Sequence, residues 1–563
     1  MIILQENKAL KMKSKIFIYK KSLQNNKLAT VNFLILLFSI FWLKEINYLF
    51  YNINDSPDFN KYIIYFDHFF SNEITNKEHG LMYYYLHSFN YSFFYADLNN
   101  FNFFIHKSVL QVNFYIFIFG VVGYYHLLKF FNFSLNVIFP TLIFLNFFPP
   151  SISMRLVYKP EILAFALLPW IIYLLEKYLK TKKLVYLILS IPMVVSALTI
   201  KGNVLVILSI YIFFGYFKVL ISASKKQFFI ISIISLVSFF ALSYENNLSN
   251  GKSILDIQSG STIEESYNFK APFSIIYKAD MYNLLTSPIK HDHANSFIGI
   301  TLLETTGDYF DLYWDNDATN YFKDRKEIFS FVQSNEIKRP ELDKSSSSFI
   351  IYQQRMTDVY LYQTIGIIIS IFLFYFLIVN IIKNKKYRKL LLAVFVGMAV
   401  LLFHSISGIP RNNFDPLVGD TFKPLYYSFV FTLSFTILIA LQLSEKYRRF
   451  IYLGIYCLLI VFILGFPKNQ EFSPSTDMIE RIQSSMYCSI EKTIYLESED
   501  INLINCGMNN FTNNETVNNF YKDNFYHKPI NLSFIFINIL FVIFLIFENK
   551  LSKNRFFAFI FKK

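Results

Sequence analysis

Residues 155–183 read RLVYKPEILAFALLPWIIYLLEKYLKTKK. The apolar run Ile162–Tyr178 has charge crowded at its borders. Arg155, Lys159 and Glu161 precede it, and Lys177, Lys180, Lys182 and Lys183 gather at its end. An apolar run of about 17–25 residues with charge confined to its ends reads as a helix in a bilayer. The pattern recurs outward in both directions. Upstream lie Leu28–Phe50, Val109–Lys129 and Phe133–Pro149. Downstream lie Leu184–Ile200, Val204–Ile221, Phe228–Tyr244, Tyr360–Ile382, Leu390–Ile409, Leu425–Leu443, Phe450–Phe466 and Ile530–Phe547. The expected fold is an all-α polytopic membrane protein with about twelve transmembrane helices and large outer-face loops.

Composition points the same way. Of 563 residues, 54% are apolar without glycine, 20% aromatic and 17% charged. A soluble domain holds about 45–50% apolar residues with glycine counted and about 25% charged ones. These figures exclude a disordered chain, a disulfide scaffold and a nucleic-acid-binding basic domain. The first 27 residues carry seven lysines and one glutamate, and no small-x-small cleavage site follows the first apolar block. That block is expected to stay in place as the first span.

Basic residues in short loops set orientation. With a cytoplasmic start and twelve crossings, Lys129, the Lys177–Lys183 cluster, Lys225, Lys226, the 383–389 cluster, the 446–449 cluster and the C-terminal lysines all fall on the inside. The chain then divides into a cytoplasmic segment 1–27, a membrane module 28–244 with a first outer loop 51–108, an outer loop 245–359, membrane helices 360–466, an outer loop 467–529, and a last helix with its cytoplasmic tail, 530–563. Outer loops of roughly 60 to 115 residues are long enough to be functional.

The outer face carries the chemistry-bearing residues. Outer loop one opens Asn54-Asp55-Ser56-Pro57-Asp58, a helix start with Ser56 as N-cap and Pro57 at the first position. Tyr62, Ile63, Phe66, Phe69 and Phe70 form the apolar face of the helix that follows, suited to the membrane interface. Asp58 sits at its positive end, which keeps it ionised; the plainer reading is that aspartate is common in first turns. Arg155, Lys159, Lys201, Arg411 and Lys423 are basic residues on the face that the inside bias otherwise avoids. They fit anionic groups bound from outside, with lipid phosphates the obvious candidates; the alternative is snorkelling to headgroups. His291-Asp292-His293 stands before a carboxylate-rich stretch, and histidine with carboxylates can hold a divalent metal; a solvated polar loop is the alternative. Tyr313 and Trp314, among carboxylates, suit stacking on a sugar or an interface belt equally. Cys488 and Cys506 share one outer loop, and an oxidising outer side would make them a disulfide.

Two of these stretches resemble the GT-C membrane glycosyltransferases, which include the protein O-mannosyltransferases and the lipid A aminoarabinose transferases. The first is Pro57-Asp58 with Tyr62, opening the first outer loop. The second is Arg155…Lys159-Pro160-Glu161 followed by Leu163–Trp170, similar to the family's second outer loop, where an acid opens the fourth span. The resemblance covers roughly the first 250 residues. It implies an inverting hexosyl- or pentosyltransferase that takes a sugar from a polyprenyl-phosphate donor to a glycan, lipid or protein acceptor. Asp58 would be general base and Glu161 would orient the acceptor or the base. Arg155, Lys159, Lys201, Arg411 or Lys423 would neutralise the leaving lipid phosphate. His291 or His293 would hold a metal, as in some relatives, and no other cofactor is expected. The implied place is a bacterial inner membrane, with the site facing outside and membrane lipids as neighbours.

Two other readings compete. O-antigen polymerases and ligases also have about twelve spans and a large late outer loop, but do not need the Pro-Asp start. A lipid-linked-sugar flippase needs short loops and a charged interior, and the apolar blocks hold few ionisable residues at their centres.

Overall fold

Asn32 is an amide inside an apolar block, and such a group needs a partner. Its Oδ1 accepts a hydrogen bond from the Tyr456 hydroxyl at 2.6 Å, from 424 residues along the chain. The computed structural model describes residues 28–41, 82–94, 101–148, 151, 154–155, 159–221, 224–243, 279–286, 428–444 and 451–456, with isolated residues between 296 and 399. Among the described residues the regular structure is helical throughout, without strands.

The helices are α1 (Leu28–Phe41), α2 (Met82–Phe94), α3 (Phe101–Phe130), α4 (Leu135–Phe147), α5 (Glu161–Thr181), α6 (Leu184–Leu198), α7 (Gly202–Ile221), α8 (Lys225–Ser243), α9 (Met281–Thr286) and α10 (Ser428–Ser444); residues 451–456 are also helical. Among the described residues two stretches are long and apolar enough to cross a membrane: Ser108–Phe130 of α3 and the whole of α5. At 23 and 21 residues they reach about 35 and 32 Å, against a hydrocarbon thickness of about 30 Å. Each falls within a few residues of an expected block. Helix α4 is shorter than its block, Phe133–Pro149. Pro149 disfavours helical geometry at the residue before it, and Phe148 is accordingly extended at φ −65°, ψ 125°.

Helix α5 is the centre of the packing, lying against α3, α6, α7 and α10. Its contact with α3 depends on two glycines. A Cβ on Gly120 would stand 2.9 Å from the Phe165 ring and 3.0 Å from the Ala166 backbone. One on Gly123 would stand 2.8 Å from the Trp170 ring and 3.1 Å from Pro169. The bare backbone lets Phe117 and Phe165 stack at 5.4 Å, and lets Trp170 Nε1 donate to the Phe119 carbonyl at 2.9 Å. Small residues at a helix crossing permit such close approach. Helix α10 fills the far side, packing on α4 and α5. Pro140 inside α4 removes the N–H that would bond the Asn136 carbonyl; the Tyr452 hydroxyl donates to that carbonyl instead.

Short connections reverse the chain. Asn132 adopts the left-handed conformation (φ 65°). The N–H of Asn132 bonds the Lys129 carbonyl at 3.0 Å and that of Phe133 the Leu128 carbonyl at 3.2 Å, a Schellman closure of α3. Ser224 and Gln227 cap α8 reciprocally: Gln227 N–H to Ser224 Oγ at 3.3 Å, Ser224 N–H to Gln227 Oε1 at 3.0 Å. The Tyr178 hydroxyl donates to the same Gln227 oxygen at 3.2 Å. The end of α5 and the start of α8 therefore lie together. The end of α3 joins them, because Lys177 and Lys180 place their ammonium groups 5.7 and 5.5 Å from the Phe130 ring centre.

Outward faces are apolar. Phe33, Leu34 and Phe41 on α1, Phe213 and Phe214 on α7, and Phe228, Phe229 and Val237 on α8 are exposed. Helix α2 is two-faced, with Tyr83, Tyr84, His87, Asn90 and Tyr91 buried and Phe89, Phe93 and Phe94 exposed.

Candidate functional site

The opposite end of α5 opens on Glu161, its first residue and the acid of its first turn. A helix N-terminus carries unsatisfied N–H groups and favours an anion. The Glu161 side chain is 1% exposed. Its Oε1 lies 2.9 Å from Nζ of Lys201, whose side chain is 13% exposed. Its Oε2 is buried without a hydrogen-bond partner among the described residues. Lys201 comes from the short connection between α6 and α7, next to the start of α7. The two charges are 40 residues apart in sequence. They meet because α5 and α6 run antiparallel and α7 packs beside both.

Arg155, in the connection between α4 and α5, is 1% exposed. Its Nε donates to the Ser151 carbonyl at 3.1 Å. Nη1 donates to Asn146 Oδ1 at 3.1 Å and Nη2 to the Asn146 carbonyl at 2.7 Å. The guanidinium carbon lies 4.2 Å from the centre of the Phe117 ring, a cation–π contact. The network continues outward. Asn146 Nδ2 donates to Ser39 Oγ at 2.7 Å, and Ser39 Oγ to the Leu36 carbonyl at 2.7 Å. Asn113 Nδ2 donates to the Arg155 carbonyl at 3.1 Å, and the Tyr83 hydroxyl to Asn113 Oδ1 at 2.8 Å. Helices α1, α2, α3 and α4 are thus joined to one cation. No carboxylate pairs with Arg155 among the described residues. Burial lowers its pKa to about 9, which still leaves it protonated at neutral pH.

Helix α2 continues the polar surroundings. Asn90 Nδ2 donates to Ser108 Oγ at 2.9 Å, and Ser108 Oγ to the His87 carbonyl at 3.2 Å. The His87 ring meets that of Tyr83 edge-on at 4.4 Å. Burial pushes the imidazole down to about 3, so it is neutral at ordinary pH. Lys159 is also buried, at 6% exposure.

Of the residues singled out in sequence, Arg155, Lys159, Glu161 and Lys201 fall at this end, and Glu161 and Lys201 are in direct contact. Asp58, His291, His293, Tyr313, Trp314, Arg411, Lys423, Cys488 and Cys506 lie outside the described residues. Among the described residues no three His, Cys, Asp or Glu side chains converge on a metal-sized site. Sequence reading missed Asn146, Asn113, Ser39 and Phe117. The asparagines had a signal: an amide within an apolar block must find a polar partner.

Chemically, the site offers one carboxylate oxygen without a hydrogen-bond partner among the described residues, a part-buried ammonium on the other oxygen, and a buried guanidinium held by neutral groups. No protein-family model, no curated protein and no solved structure matches the chain.

Proposed function

We propose that the protein is a polytopic inner-membrane glycosyltransferase of the GT-C kind. It moves a sugar from a polyprenyl-phosphate donor to a glycan, lipid or protein acceptor on the outer face, in the synthesis of the cell envelope. In this reading twelve helices cross the bilayer and both termini are cytoplasmic. The end of the described helices that carries Lys129, Lys177, Lys180 and Lys182 faces the cytoplasm, and Glu161 lies about 28 Å away at the outer end of α5. The exposed Phe and Leu faces of α1, α7 and α8 meet lipid.

The observation that carries the reading is Glu161: a carboxylate at a helix N-terminus, buried beside a lysine, with one oxygen lacking a hydrogen-bond partner among the described residues. The acceptor hydroxyl attacks the anomeric carbon. Its oxygen–carbon bond forms as the bond from that carbon to the phosphate oxygen breaks, and the anomeric configuration inverts. The proton passes to Asp58, and polyprenyl phosphate leaves with the bonding pair. Glu161 orients the acceptor. Lys201, with Lys159, Arg155, Arg411 and Lys423, opposes the phosphate charge.

Mass spectrometry of lipid-linked sugars and envelope glycans in a deletion strain tests this. One polyprenyl-phosphate sugar should accumulate and one glycan modification should disappear. Wild-type chain should restore both. Asp58→Asn should insert normally yet lower transfer at least about a hundredfold. Unchanged lipid-linked sugars and glycans in the deletion strain would remove the proposal.

A further inference from the structure

The two halves of the Glu161–Lys201 pair are unequally placed. The carboxylate is 1% exposed and the lysine side chain 13%. Glu161 begins α5, and the turn is closed by the Leu163 N–H on the Pro160 carbonyl at 3.0 Å. Lys201 lies in the 199–201 connection, and its four-carbon stem can turn without moving a helix. An anion arriving at this end therefore meets the ammonium before the carboxylate. Glu161 does not depend on Lys201 alone, since the first-turn N–H groups of α5 also favour a negative charge there. The neighbourhood favours a second anion too, for Arg155 is a buried cation with only neutral partners among the described residues. A buried charge without a countercharge is costly.

We propose that Glu161 competes with an incoming phosphate-type anion for Lys201. The carboxylate holds the ammonium while the site is empty and releases it when the anion binds. Release leaves both carboxylate oxygens open to a hydroxyl-bearing partner, so occupation of the anion site prepares the acceptor site. This rests on the reading that the donor carries a phosphate, and adds an order of events to it.

Farnesyl phosphate is the probe, with farnesol and inorganic phosphate as comparison arms, titrated against the full chain in phosphatidylcholine nanodiscs. Glutamine keeps the shape of Glu161 without its charge. Glu161→Gln is therefore expected to bind farnesyl phosphate at least about five-fold more tightly than wild type, the lower range for coupled sites. Lys201→Met should abolish binding. The double variant Glu161→Gln/Lys201→Met leaves neither charge of the pair uncompensated; it should fold and not bind. A Glu161→Gln chain that binds the probe no better than wild type, or binds neither phosphate, overturns the competition. Farnesol binding as tightly as farnesyl phosphate overturns it also. Equal binding of inorganic and farnesyl phosphate, both tightened in Glu161→Gln, upholds the competition and removes the lipid-donor reading.

Discussion

Arg155 has the side chain of an ion-pair residue in the surroundings of a neutral one. Three of its N–H groups reach protein oxygens, all uncharged. Two of those oxygens belong to Asn146. Asn146→Leu removes the Oδ1 acceptor from a buried guanidinium and the Nδ2 donor from Ser39. Leaving such groups unpaired costs about 1–3 kcal/mol each, more beside a charge, so thermal unfolding of the purified chain should fall well below wild type. Asn146→Asp loses the same Nδ2 donor but keeps an acceptor for the guanidinium and adds a countercharge, so its unfolding temperature should fall less than that of Asn146→Leu. Similar losses in both variants would mean that the lost donor to Ser39, and not the guanidinium, sets the stability change. Arg155→Lys is not conservative here, because an ammonium cannot span three acceptors and lie flat on Phe117.

At the scale of elements, the α3–α5 crossing is set by Gly120 and Gly123. Alanine at either position brings a Cβ within about 3 Å of atoms on α5, including the Ala166 backbone at 3.0 Å. Overpacking of this kind costs about 1–3 kcal/mol, and Gly120→Ala and Gly123→Ala should lower the melting temperature. Gly215 is the control. Its nearest contact would be 3.8 Å, at Tyr211, so Gly215→Ala should be neutral or raise stability by up to about 1 kcal/mol, through helix propensity. Equal loss at all three sites would deny the close approach. The positions of α3 and α5 were readable in sequence because an apolar run between charge clusters leaves little choice. The glycines were not, because a glycine in an apolar helix looks the same whether or not a neighbour lies against it.

For the whole molecule, the decisive measurement is sidedness. In the proposed topology, single cysteines at Ser259 and Ser475 should react with an impermeant maleimide in intact cells. A cysteine at Ser224, which caps α8 beside the end of α5, should react only after permeabilisation. Reaction at Ser224 from outside would invert the arrangement and place Glu161 in the cytoplasm.

Apolar blocks between lysine clusters placed, from sequence alone, α1, α3 to α8 and α10 among the described residues, while α2 and α9 fall in stretches read as outer loops. These are local properties: about 20 apolar residues specify a helix in lipid whatever surrounds them. The sequence also marked Arg155, Lys159 and Lys201 as basic residues on the face that the inside bias avoids, and Glu161 through the resemblance of its stretch. Only the tertiary structure decided that Lys201 stands on Glu161 rather than beside Arg155, and that Arg155 is held by asparagine, serine and phenylalanine. Those pairings depend on which helix ends meet. The packing of α3, α5, α6 and α7 sets that, through contacts between residues far apart in the chain, and no local pattern carries such information.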